Sequence, residues 1–358
     1  MNIKIINSGL LTIVEDMGRY GYQASGMQVS GVMDKYAAEL ANALVGNPAQ
    51  AAVLESTYIG PEIEAEGDVL VAVTGGIPEV FVDGQWVNPY ESIELHQGQH
   101  LRVAGMREGL RAYIAIAGGL SVPQVLGSRS TNMKLGIGGV AGKKLINGTE
   151  LPVGEPSIIA REILTGHAHH RHAAYNYLVD NKIWSSDYHH IRLVLGPQAD
   201  YFTEESIKAL NGSVYTVSKD SDRMGYRLEG AAIQRKNTRD MITDGIVFGS
   251  IQVPPGGQPI VMMADHQTTG GYPKIGTVIT ADLPLLAQCK PGTRICFEVV
   301  SVYEAQKIYI SYMKAVQEQI RLMDSSMESF DWPEARLGVR NYQLKINGQL
   351  FRVSVEKM

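Results

Sequence analysis

The 358-residue sequence predicts a mainly β protein with few helices. Apolar residues recur at every second position: Val69, Val71 and Val73 form one such row, and Ile295, Phe297 and Val299 alternate with Arg294, Cys296 and Glu298. Together with the short apolar run from Tyr113 to Ala117, these are strand patterns. Turn signals separate them. Gly75-Gly76, Asp83-Gly84, Asn147-Gly148, Pro255-Gly256-Gly257 and Pro291-Gly292 each supply a residue free to take positive φ or preset for a turn.

Two helices stand out. Asp34 is placed to cap a helix over Lys35 to Val45, where Ala37, Leu40, Ala41 and Leu44 share a face and Gly46 stops the run. A longer helix is predicted from about Tyr303 to Met323, with Ile308, Tyr312, Val316, Ile320 and Met323 along one stripe. At the end of the chain, Asn347-Gly348 reads as a two-residue hairpin turn that pairs Leu344 with Phe351 and Tyr342 with Val353.

The segment Thr12 to Tyr22 echoes Tyr215 to Tyr226, both placing Asp, Arg, Gly and Tyr just after a β-type run. A duplication would give two related β domains, and we divide the chain into residues 1–190, 191–302 and a helical and hairpin tail at 303–358. The His-rich stretch between Thr165 and His190 is the expected boundary.

A formal net charge of -5 provides no basic face for a phosphate backbone, so nucleic acid is not an expected partner. The N-terminus lacks a signal-peptide pattern, and no apolar run approaches the ~20 residues of a membrane span; the cytoplasm is the expected compartment. Cys289 and Cys296 are expected as reduced core thiols.

Several common sites are missing. Gly136 to Lys144 is glycine-rich but lacks phosphate-loop spacing and the hydroxyl after its lysine, and there is no H-E-x-x-H, paired C-x-x-C or G-x-S-x-G. His167, His169, His170 and His172 lack acidic or thiolate companions in the sequence and read as a solvated linker, so no metal site is expected.

The informative segment runs from Thr243 to Gly292. It carries Gln252 and then Asp265-His266-Gln267-Thr268-Thr269-Gly270-Gly271-Tyr272-Pro273-Lys274, a polar string bounded by glycine and proline. An amide or lactam needs a donor for its carbonyl, an acceptor for its N–H, and positive charge where an oxyanion develops. Lys274 offers the charge, Asp265 an acceptor or base, and Gln252, Gln267, Thr268 and Thr269 an amide-reading set. The alternative is that these side chains cap turns. Two further constellations stand beside it: Ser221-Asp222-Arg223, whose guanidinium suits a carboxylate, and Gly127 to Asn132, which contains Arg129 and Asn132.

These residues resemble the allophanate hydrolase subunit two family, also described as KipA-like, as the C subunit of 5-oxoprolinase, or as related to the carboxyltransferase part of urea carboxylase. The likeness runs from about Gly9 to Ser301. It includes Glu15 to Gly21, Gly31 to Asp34, Leu54-Glu55, Gly127 to Thr131, Gly196-Pro197-Gln198, Ser221 to Leu228, Gly249 to Pro254 and Asp265 to Lys274.

The resemblance implies tandem cyclophilin-like β-barrel domains. It also implies action as the C subunit of an ATP-dependent 5-oxoprolinase, working with a subunit-one or KipI-like protein (the B subunit) and a LamB/YcsF-like protein (the A subunit). ATP with Mg would be used by the complex at a site shared with or lying on a partner. On this reading Asp265, Lys274 and Arg223 are the catalytic candidates, and Gln252, Gln267, Thr268, Thr269, Asn132, Arg129 and Asp222 contact the substrate. Two other activities occur in the family: biotin-dependent carboxyl transfer to urea or another small amide, and antagonism of a KipI-like kinase inhibitor. The tail lacks an Ala-Met-Lys-Met-type turn, so no biotin is expected on this chain.

Overall fold

The computed structural model describes residues 1–173, 188–236 and 241–323, with the backbone of 339–346 and 349–356, and it is mostly β. In the N-terminal half, a six-stranded sheet runs in the order Glu150–Pro152, Asn2–Asn7, Glu62–Ala65, His100–Glu108, Ile77–Val82, Gln85–Val87. A five-stranded sheet runs Leu11–Glu15, Val53–Thr57, Arg111–Ile116, Val69–Thr74, Ser92–Leu95.

Strands Val69–Thr74 and Arg111–Ile116 are buried along their whole length. Val71, Val73, Ile114 and Ile116 join the core lined by the other sheet, while Leu70, Ala72, Tyr113 and Ala115 pack against helices. Burial on both faces explains why these segments read as near-continuous apolar runs.

The described helices are α1 (Lys35–Leu44), α2 (Ile158–Leu164), α3 (Glu204–Leu210), α4 (Leu283–Ala287) and α5 (Val302–Met323). Asp34 caps α1 as predicted, accepting the Ala37 N–H at 2.9 Å. Leu40 and Leu44 of α1 are fully buried against the five-stranded sheet, worth on the order of 2 kcal/mol each.

The C-terminal half is a closed barrel in the order His189–Leu195, Lys274–Val278, Ser250–Gln252, Ile260–Met262, Gly225–Glu229, Val214–Val217, Arg294–Val299. It closes by parallel pairing of its first and last strands, from His189 opposite Ile295 to Leu193 opposite Val299. Phe297, Tyr215, Tyr226, Ile251 and Val261 fill its interior.

From the barrel's last strand the chain enters α5, which returns to the N-terminal half. Tyr312, Val316 and Met323 join the core that contains α1, and the Tyr36 and Tyr312 rings lie 6.1 Å apart. The predicted apolar stripe is therefore a contact between α5 and the first half.

The His-rich segment is solvated at His167, His169 and His170, which are exposed, yet it is also tied down. His170 lies 3.2 Å from Glu94, His172 lies 3.2 Å from Glu91, and Arg171 donates to the Ala43 carbonyl at 2.6 Å. The acidic companions that are missing nearby in sequence come from the strand Ser92–Leu95 and the residue just before it.

In the tail, Leu344 pairs with Phe351 and Tyr342 with Val353, as expected; the Asn347-Gly348 turn lies outside the described residues. Among the described residues no helix is long and apolar enough to cross a membrane.

Candidate functional site

At one mouth of the barrel, Arg223 and Asp265 lie side by side on antiparallel segments. The Asp265 N–H donates to the Arg223 carbonyl at 2.8 Å, and Arg223 Nε donates to Asp265 Oδ2 at 2.8 Å. Arg223 also reaches across into the N-terminal half. Its Nη2 donates to the Gly31 carbonyl at 2.6 Å, its Nη1 donates to Glu55, and Glu15 lies 3.4 Å from Nη2. A planar five-donor fork can serve several acceptors at once, which suits arginine to this position.

Glu55 is held from its other side by the Met33 N–H at 2.8 Å and the Tyr113 hydroxyl at 2.9 Å. A second buried cation joins the halves in the reverse direction: Arg111 donates to the Tyr226 hydroxyl at 2.6 Å and to the Ala287 carbonyl. Gln288 completes the junction. Its Oε1 accepts the Leu110 and Arg111 N–H groups at 3.0 and 2.9 Å, and its Nε2 donates to Asp34 at 2.8 Å.

Burial and charge shape these groups. Burial would lower the Arg223 pKa, but the acidic side chains packed on it, Asp265 first, outweigh it and hold the guanidinium charged. Burial pushes Asp34 up to about 6, against the bonds from Gln288 and Ala37, and it raises Glu15 well above the usual range.

Over this junction opens a cleft of about 600 Å³. Arg111, Arg223 and Asp265 lie on its floor, Lys134 and Lys219 are exposed lining residues, and Leu11, Met133 and Val217 are among its apolar walls. Both halves contribute. An apolar concavity with a few convergent polar groups is the ordinary form of a small-molecule site. Cys289 also lines it, but burial pushes that thiol up to about 12, so it is no nucleophile.

Lys274 is elsewhere. The barrel register sets Gln252 opposite both Lys274 and Ile260, and Ile260 opposite Arg227, whereas Gly225 and Met262 mark the other end of the same strands. Asp265, five residues beyond Ile260, is roughly 15 Å away along the strand direction. The expectation of one cavity shared by Gln252, Asp265 and Lys274 is therefore corrected, because the connecting segment travels the length of the barrel.

At that second mouth, Lys274 donates to Asp244 at 2.8 Å and Gln198 donates to the same carboxylate at 3.0 Å. Gln252 sits beside them, donating to the Tyr272 carbonyl at 3.4 Å.

Other predicted residues build loops. Asn132 spends its amide on Gln28 at 2.6 Å, Ser30 at 3.0 Å and the Leu135 N–H at 2.8 Å. Arg129 donates through Nε to the Val122 carbonyl at 2.9 Å. Asp222 lines the cleft yet caps its own turn, accepting the Met224 N–H at 2.8 Å. Gln267, Thr268 and Thr269 contribute backbone rather than side chains: the Gln267 carbonyl meets His266 Nδ1 at 2.7 Å, the Thr268 carbonyl accepts from Ile246, and Thr269 pairs with Gly245.

The two echoing segments share one local bond: Asp16 accepts the Gly18 N–H at 2.9 Å and Asp222 accepts that of Met224 at 2.8 Å, but the buried arginine follows the turn in the first segment, as Arg19, and lies within it in the second, as Arg223.

Sequence reasoning missed Glu55, Arg111 and Gln288 as parts of the junction. A glutamate inside Val53–Thr57 and an arginine opening Arg111–Ile116, both within apolar strands, were the available signal. His266 was also passed over: burial lowers its pKa, and Nδ1 bound to a carbonyl leaves Nε2 as the basic nitrogen of the neutral ring.

Among the described residues no group of three or more His, Cys, Asp or Glu is placed to hold a metal. In the glycine-rich loop the N–H groups of Gly136, Gly139 and Gly142 donate to the carbonyls of Asn132, Arg129 and Gly138.

Comparison with known proteins follows the same lines. Residues 25–299 match the family model "Carboxyltransferase domain, subdomain A and B". The chain is 38% identical over 90% of its length to the C subunit of 5-oxoprolinase from Escherichia coli, spanning 96% of that protein. It is 35% identical over 86% of its length to the C subunit of 5-oxoprolinase from Haemophilus influenzae, spanning 94% of it. The crystal structure of the K. lactis urea amidolyase superposes on 99% of this chain with a TM-score of 0.80 at 26% identity, and the chain spans 22% of that longer protein.

Proposed function

The chain belongs to the carboxyltransferase domain family, subdomains A and B, and from that footing we propose that it is the C subunit of an ATP-dependent 5-oxoprolinase. The observation that carries this reading is end-to-end likeness: the chain spans 96% and 94% of two relatives bearing that name. The partners are a KipI-like B subunit and a LamB/YcsF-like A subunit, and ATP with its Mg binds on them or at a shared surface.

The cleft suits the chemistry. Resonance makes a lactam carbonyl a poor electrophile, and phosphorylation of its oxygen turns that oxygen into a leaving group. Water then adds at the same carbon, the C–N bond breaks as the nitrogen takes a proton and leaves an acyl phosphate, and a second water adds to that carbonyl and expels phosphate to give the carboxylate. The apolar walls receive the ring, Lys134 and Lys219 attract the substrate carboxylate or the phosphate, and Asp265 handles the proton. Arg223 fixes Asp265 instead of meeting the oxyanion itself, because its donors are engaged by Asp265, Glu55 and Gly31.

A second reading, carboxyl transfer to urea or a related amide from biotin carried on another protein, is favoured by the fold shared with urea amidolyase. Co-expression with both partner proteins separates the two. Glutamate released from 5-oxoproline only when ATP is present supports the first reading. No glutamate from the assembled set, with bicarbonate-dependent carboxylation of urea when a biotin carboxylase and carrier are supplied, overturns it.

A further inference from the structure

Glu15 closes the strand Leu11–Glu15 directly behind the cleft floor and is fully buried. Among the described residues neither of its side-chain oxygens has a hydrogen-bond partner. The hydrogen bonds its neighbours make run elsewhere, and Arg19 Nη1, like the Glu15 oxygens, has no hydrogen-bond partner among the described residues. Arg223, 3.4 Å away, donates to Asp265, Glu55 and Gly31. The Ser130 hydroxyl donates to Asp16 at 2.6 Å, and Arg19 donates to the carbonyls of Val125 and Ser130 at 2.8 Å each.

A buried carboxylate that accepts no hydrogen bond is much costlier than a neutral acid in the same place. Counting charge leads to the same result. Arg19 is offset by the neighbouring Asp16, and Arg111 and Arg223 are offset by Glu55 and Asp265, which leaves Glu15 without a cation of its own.

We propose that Glu15 is carried as the neutral carboxylic acid and acts as a positioning residue, leaving the charge of Arg223 to hold Asp265 in place at the cleft floor. Burial, reinforced by the carboxylates of Asp265 and Glu55, holds its proton against the pull of Arg223 and the smaller one of the nearby Ser130 hydroxyl. If Glu15 ionised, it would compete with Asp265 for the Nη2 side of the guanidinium and loosen the pair. The catalytic consequence rests on the cleft being the reaction site; the protonation state does not.

Infrared spectroscopy of the full chain tests the state directly. At about pH 7.5, above the Asp34 range, the wild type should show a protonated-carboxyl band that fades as pH rises and is missing from Glu15→Gln. A wild type without that band, or a band that persists in Glu15→Gln, overturns the proposal. Should Glu15→Gln fold poorly, the band in the wild type and its loss at high pH decide alone. In the assembled complex, kcat should fall on the alkaline side for the wild type, and Glu15→Gln should lose that limb. Identical alkaline limbs would overturn the positioning role, whereas no turnover by the wild type would count against the oxoprolinase reading and leave the infrared result standing.

Discussion

Asp265 and Lys274 are nine residues apart in the chain and lie at opposite mouths of the seven-stranded barrel. A polar string that looks like one site is a strap between two, with Asp265 facing Arg223 and Lys274 facing Asp244.

Lys274→Ala is therefore expected to be mild. Its partner Asp244 is half exposed, so loss of the pair should reduce stability by less than about 1 kcal/mol in urea titration. Turnover by the complex should drop by less than about tenfold. A loss as large as that from Asp265→Asn would place Lys274 at the reacting atoms after all.

Arg223→Ala should behave differently. It leaves Asp265 and Glu55 buried without their cation, and such breakage costs about 3 to 5 kcal/mol. Adding Glu55→Gln and Asp265→Asn should restore part of the loss, as urea midpoints would show. An Arg223→Ala chain as stable as the wild type would mean that the junction contributes little to folding.

Gln288 joins the halves without charge. Gln288→Ala strands the N–H groups of Leu110 and Arg111 and removes a donor from Asp34, a loss of about 2 to 4 kcal/mol by chemical unfolding. A change below about 1 kcal/mol would show that these groups find other partners.

Asp34 supplies a pH dependence of known sign. Its folded pKa of about 6 lies above the ordinary 3.8, so the folded protein binds this proton more tightly than the unfolded chain. The contribution to stability is fully present below about pH 4 and lost as pH rises through about 6, amounting to about 3 kcal/mol. Unfolding free energies at several pH values should show the wild type falling relative to Asp34→Asn across that window. Parallel curves would mean that Asp34 is ionised throughout.

Much of the fold was legible because local rules and tertiary packing agree. The Asp34 cap, the α5 stripe and the tail register all depend on short-range periodicity, and the structure keeps them. The site was less legible because its geometry comes from pairing between distant strands. Nothing in the spacing of Gln252, Asp265 and Lys274 shows that three short barrel strands carry the outer two to one end and the middle one to the other. Likewise, Glu55 and Arg223 are separated by 168 residues, and only the packing of one half against the other brings them together.

The central claim is that the cleft above Arg223 and Asp265 is where the lactam reacts. Its most direct test is the kcat of Asp265→Asn in the fully assembled complex, measured as ATP-dependent release of glutamate from 5-oxoproline. A loss of about 100-fold or more, with assembly intact, is the predicted result. Wild-type turnover in the Asp265→Asn complex would contradict it.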